Sequence, residues 1–210
     1  MEGYPQPSGC VNNDAGYPYY YHFNHNPFIY YANIQNNPTR CSHIVNANTL
    51  NPQPNIPVPR CWPIAVDNDG LFLNDLNSVV NAPNYMFLIP NTVDDVHDCN
   101  DVSVGNAWMN QLIPQILRST LFTTRKAALF ITFDEDGCTF TGCPSAGPQL
   151  YTVWASNATN PTTIAGLKSV QPYTHYSALR TIEDNWMLPP LIPSTDGSAI
   201  NMGEFLRARS

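Results

Sequence analysis

The sequence predicts an α/β fold whose mostly parallel sheet is covered on two sides. Two observations carry the prediction. Three short segments are apolar at every or nearly every position, as strands buried on both faces must be: Tyr85–Ile89, Ala127–Phe133 and Leu150–Ala155. Between and after them run stretches whose apolar residues recur at helical spacing, which fits helices packed on the faces of such a sheet. A third observation sets the scale: 210 residues, 43% of them hydrophobic, suit one medium domain with a sizeable core.

The elements follow in chain order. Residues 1–63 are rich in Pro, Asn and Tyr and read as a covering segment of the domain, with one short helix near Phe28–Ile34. The α/β core is expected over 64–210. Asp69 is placed to cap a helix over Leu71–Val80, with Leu73, Leu76 and Val80 inward. Tyr85–Ile89 reads as a buried strand stopped by Pro90. Ser103–Ser119 reads as a helix because Val104, Trp108, Leu112 and Ile116 recur every four residues, and Pro114 should kink it. Ala127–Phe133 and Leu150–Ala155 are the second and third strands. Tyr176–Trp186 is a helix, capped by Thr174, with Leu179, Ile182 and Trp186 inward.

Charged residues are only 12% of the chain and the formal charge is −7. That balance argues against a nucleic-acid groove or an anionic membrane surface as partner. No run is long enough to span a bilayer. The six cysteines (Cys10, Cys41, Cys61, Cys99, Cys138, Cys143) match neither a zinc ribbon nor a redox CxxC, and their pairing stays open. An even cysteine set and a surface wetted by Asn, Thr, Ser and Tyr point to an oxidising, secreted setting. Asn157-Ala-Thr159 is a glycosylation sequon. The start at Met1 lacks a signal sequence, so a secreted protein would have its true N-terminus upstream.

Ligands of open parallel sheets bind beyond the carboxyl ends of the strands, and three titratable segments are expected there. Asp134 and Glu135 directly follow a buried strand; adjacent carboxylates repel unless a cation lies between them, so they read as a divalent metal site or as a solvated acidic turn. Asp94, Asp95, His97 and Asp98 form a cluster that suits metal binding, general acid work or a helix-capping run. His97 has no capping rationale. His175 opens a helix, where the dipole favours the neutral imidazole. His25 lies in the covering segment and is placed to reach over the sheet rim. Asp67-Asn-Asp69-Gly70 fails the EF-hand pattern, and neither a phosphate-binding glycine loop nor a GxSxG elbow occurs.

Four strings in order resemble the phosphoesterase family of bacterial phospholipases C and acid phosphatases. They are His25-Asn-Pro-Phe-Ile-Tyr-Tyr, Pro83-Asn-Tyr-Met-Phe-Leu-Ile-Pro-Asn91 running to His97-Asp98, Ala128-Leu-Phe-Ile-Thr-Phe-Asp134-Glu135, and Tyr173-Thr-His175-Tyr-Ser-Ala-Leu-Arg-Thr-Ile-Glu183. The resemblance implies an alkaline-phosphatase-like, three-layer α/β/α sandwich and hydrolysis of a small phosphoester or a phospholipid. It implies a divalent metal at Asp134 and Glu135, active-site roles for His25, His97 and His175, and phosphate or substrate contacts for Asp95 and Asp98. The family's Glu-Asn pair with Ser-Phe-Asp, and the Ser or Thr nucleophile after it, are not found in this sequence. Three explanations stay open: a C-terminal part, an upstream chain or domain that completes the fold, or a non-catalytic secreted binding module. A related sulfatase is disfavoured, since no Cys-x-Pro-Ser-Arg motif occurs.

Overall fold

The computed structural model describes residues 10–12, 21–48, 69–97, 101–135, 149–157 and 166–206. The chain divides into two compact units, 1–123 and 124–210.

In the first unit the Pro/Asn-rich segment builds short helical turns by one repeated device. Asn26 sits extended before Pro27, and its side-chain oxygen accepts the Phe28 N–H at 3.2 Å, opening a 3-10 turn over Pro27–Tyr30. Asn37 does the same ahead of Pro38, accepting the Arg40 N–H at 3.1 Å. Helices α1 (Ala32–Gln35) and α2 (Pro38–Cys41) follow. A disulfide joins Cys10 to Cys41, and Tyr21, Ile29 and Ile44 form a buried cluster with Phe28, Ile34 and Ile89 packed around it. Cys61, Cys99, Cys138 and Cys143 lie outside the described residues.

Helix α3 spans Gly70–Asn77 and α4 spans Val102–Arg118. Val104, Leu112 and Ile116 are buried as the four-residue spacing requires, and the helix runs through Pro114 to Arg118. Asp101 caps it, accepting the Ser103 N–H at 2.8 Å; hydrogen bonding from Ser103 holds its carboxyl below the usual range. Asp69 behaves otherwise than expected. Its backbone is left-handed (φ 45°), it makes no cap bond, and its buried carboxylate accepts the Trp108 indole N–H at 3.0 Å. Helix α3 ends before Val80, which is 92% exposed. The strand expected over residues 85–89 does not form: these residues carry no regular secondary structure. Helix α5 spans Thr120–Thr124, at the boundary of the two units.

The second unit holds β1 (Ala128–Ile131) and β2 (Val153–Ser156), which pair antiparallel with Phe130 opposite Trp154 and Leu129 opposite Ala155. This corrects the expected mostly parallel, three-layer sheet: among the described residues the sheet has two strands and they are antiparallel. Continuous apolarity reported apolar character on both faces, which is only indirect evidence for strand direction. Leu129, Phe130 and Ile131 are in fact half-buried, and the Phe130 and Trp154 rings cover each other at 4.4 Å. Asn157 closes the base of the hairpin, accepting the Ala127 N–H and donating to the Arg125 carbonyl, both at 2.7 Å. The sequon's amide is thus engaged with the backbone.

Helix α6 spans His175–Asn185, and Thr174 and Ser177 form the capping box at its start. Its fully buried positions are Ser177, Thr181 and Glu183, while Trp186 is exposed. The expected apolar face is therefore displaced by a polar one. Thr181 explains this: its hydroxyl donates to the Ser177 carbonyl at 2.7 Å and accepts the Met202 N–H at 2.8 Å, so the segment after the helix is hydrogen-bonded onto it.

Candidate active site

The titratable residues singled out by the sequence fall into two sets, one in each unit. The first is built on Asn91, which is 1% exposed. Its side-chain oxygen accepts the N–H groups of Val93 (2.7 Å) and Asp94 (3.2 Å), and its amide donates to Asp94 Oδ2 at 3.1 Å. An Asx turn of this kind fixes the backbone before Asp95. At Val96 the chain then takes φ 71°, a conformation that β-branched residues rarely adopt. Gly105 of α4 makes room for it. A Cβ at Gly105 would collide with Val96 Cγ2 and meet the Asp94 carbonyl at 3.0 Å.

The turn reverses the chain between Asp95 and His97, so that the His97 N–H donates to Asp95 Oδ1 at 3.0 Å. The other oxygen, Oδ2, lies 3.8 Å from His25 Nδ1. That is too long for a hydrogen bond, yet short enough for a charge contact with an imidazolium. His22 lies against His25, ring centres 5.0 Å apart. The base under His25 is rigid: buried Asn26 donates to the Tyr21 hydroxyl at 3.3 Å, and that hydroxyl donates to the Val11 carbonyl at 2.8 Å beside the disulfide. The structure thus brings His25 and Asp95 together and ties His97 to Asp95 through its backbone; the His97 residue is exposed. Asp98 lies outside the described residues.

The second set follows β1. Asp134 and Glu135 are exposed just beyond the strand. His175, first residue of α6, reaches back so that its Nε2 stands 2.8 Å from the Asp134 carbonyl oxygen. A carbonyl only accepts, so Nε2 carries the proton and Nδ1 keeps its lone pair when the ring is neutral. The expected meeting of His175 with the acidic turn therefore occurs within this unit, but not at a parallel-sheet rim. Tyr173, two residues earlier, donates its hydroxyl to Glu204 Oε1 at 2.8 Å. Burial, then Glu204, pushes the phenol up to about 12.

Two adjacent carboxylates are hard oxygen donors of the kind Mg²⁺ or Ca²⁺ takes, but such ions need about six ligands. Among the described residues no group of three or more His, Cys, Asp or Glu side chains is gathered to hold an ion. Asp134 and Glu135 fit a divalent metal in kind, as part of a coordination shell.

Some site-building residues lay beyond the sequence reading. Asn26 and Asn91 each adjoin a proline, a signal that turn chemistry makes readable in hindsight. Gly105 and Glu204 carry no local signal at all; their roles exist only through contacts distant in sequence.

The Phosphoesterase family matches residues 67–189, more than half of the chain, and the chain belongs to that family. It is 32% identical over 126 residues to an acid phosphatase of Aspergillus niger, a match covering 60% of this chain and 28% of that protein. An acid phosphatase of Aspergillus fumigatus is 28% identical over 167 residues, covering 80% of this chain and 30% of the relative. A probable acid phosphatase of Kluyveromyces lactis is 27% identical over 180 residues, 86% of this chain and 35% of its own length. The chain thus spans about a third of the length of these relatives. No solved structure gives a significant match. No helix among the described residues is long and apolar enough to cross a membrane.

Proposed function

We propose that this protein hydrolyses phosphate esters, as the acid phosphatases it is similar to are named for doing. The observation that carries the reading is the family match over 67–189, which takes in the Asp94–His97 turn, Asp134, Glu135 and His175 in one stretch. In this reading His25 works as acid and base at the ester oxygen. Asp95 orients it: a carboxylate pressed against a phosphate dianion would be repelled, so Asp95 serves from behind the imidazole. His97 follows Asp95 in the same turn, and His175 offers Nδ1 as a further acceptor. A divalent ion, when bound, neutralises charge on the phosphoryl oxygens. Asp134 and Glu135 are its holders on this chain.

The attacking hydroxyl and the remaining metal ligands come, in this proposal, from an upstream chain or domain that completes the fold. The half-buried faces of β1 and β2 support that: among the described residues they pair only with each other, and a two-stranded sheet is marginally stable by itself. The Cys10–Cys41 disulfide supports a secreted, extracellular setting.

Metal-dependent release of nitrophenol from p-nitrophenyl phosphate by the complete protein, abolished by Asp134→Ala, is the expected result. A parallel assay on phosphatidylcholine separates the phosphomonoesterase from the phospholipase C-like form. Absence of turnover on both substrates with the metal-loaded protein favours the second reading, a non-catalytic secreted module; the observation behind it is that no third His, Cys, Asp or Glu joins Asp134 and Glu135 among the described residues.

A further inference from the structure

The acidic pair needs something to hold it, since Asp134 and Glu135 stand exposed at the end of a short hairpin. The Asp134 backbone is held by His175, so whatever fixes His175 also fixes Asp134. The capping box secures the helix start: the Thr174 N–H donates to Ser177 Oγ at 3.1 Å, and Ser177 is buried. One residue further out, the Tyr173 hydroxyl is tied to Glu204, and its ring lies 6.1 Å from that of Phe205. Glu204 belongs to a 3-10 turn, Gly203–Phe205, that is itself fastened to α6. Met202 N–H donates to Thr181 Oγ1, and Asn201 donates to Asp184 Oδ2. The segment 201–205 is therefore a strap. It leaves the C-terminal half of α6 and grips the residue in front of its N-terminus.

We propose that Tyr173 and Glu204 are positioning residues: their hydrogen bond seats His175 on the Asp134 carbonyl and so sets the placement of the acidic pair. The clasp itself rests on observed contacts; its service to a metal rests on the phosphoesterase reading above.

The test reads the His175 ring directly, by long-range ¹H–¹⁵N NMR of the full chain. The wild type should show the Nε2–H tautomer. Tyr173→Phe and Glu204→Ala should give a mixed or averaged tautomer. Glu204→Gln, whose amide oxygen still accepts the phenol proton, should restore the wild-type signature. Mn²⁺ titration of the same chains should show affinity falling about tenfold in Tyr173→Phe and in Glu204→Ala, and recovering in Glu204→Gln. Tyr173→Phe removes one oxygen and keeps the ring, so a folded variant is expected, and far-UV circular dichroism checks it. A His175 signature unchanged by Tyr173→Phe and Glu204→Ala overturns the clasp, as does a Glu204→Gln chain that behaves like Glu204→Ala. If the signature moves and Mn²⁺ affinity does not, the link to the acidic pair is overturned. If Asp134→Ala leaves Mn²⁺ binding at the wild-type level, the metal role of Asp134 fails, while the NMR result still decides the clasp.

Discussion

The two sets of candidate site residues are held in opposite ways. In the first unit the Asp95 and His25 side chains rest on several buried supports at once: Asx turns at Asn91 and Asn26, a glycine cradle at Gly105 and a disulfide. In the second unit Asp134 and Glu135 sit exposed on a small hairpin, and the described contact that fixes the Asp134 backbone arrives from forty-one residues away through His175. The first set is held by several independent contacts within its unit. The second depends on a helix start and on the strap behind it. Damage to the first should therefore appear as lost stability of one unit, and damage to the second as lost function with the fold intact.

Three experiments sharpen or break that contrast. Reduction of Cys10–Cys41, which closes a loop of sequence separation 31, should have the largest effect, destabilising the first unit by about 2–4 kcal/mol. Hydrogen exchange should then quicken at residues 21–29 and stay unchanged at 128–131; equal acceleration in both would break the distinction. Gly105→Ala comes next. Its methyl group would collide with Val96 and with the Asp94 carbonyl, so a loss of about 1–3 kcal/mol is expected in denaturant melts, with the Asp95 and His97 amide resonances displaced.

The smallest effect concerns pH. The Tyr173 phenol is raised from 10.0 to about 12 in the folded chain, so the protonated form is the one the fold prefers. Its stabilising contribution is full below pH 10 and is lost as pH rises through about 12. The melting temperature of wild type should fall toward that of Tyr173→Phe across this window. Parallel curves would mean that the Tyr173–Glu204 bond contributes nothing in solution.

Much of the local structure was legible because its causes are local. Val104, Leu112 and Ile116 mark the buried face of α4 by spacing alone, and Thr174 marks the start of α6. The apolar runs at β1 and β2 located the strands, but their direction depends on a partner and left no local trace. Asp69 was misread for a related reason. Its position before a helix favours capping, yet Trp108, thirty-nine residues on, draws the carboxylate inward. The same limit applies to the site. His25, Asp95, Asp134 and His175 stand out because acids and imidazoles are few in this chain, whereas Gly105 and Glu204 are ordinary residues until the fold brings them to Val96 and Tyr173.

The central proposal is that this chain takes part in phosphate ester hydrolysis. The most direct test is metal-dependent p-nitrophenyl phosphate hydrolysis by the complete protein and by its His25→Ala and Asp134→Ala variants. Each variant should lose about a hundredfold or more in rate. A His25→Ala or an Asp134→Ala enzyme with the wild-type rate would contradict the account.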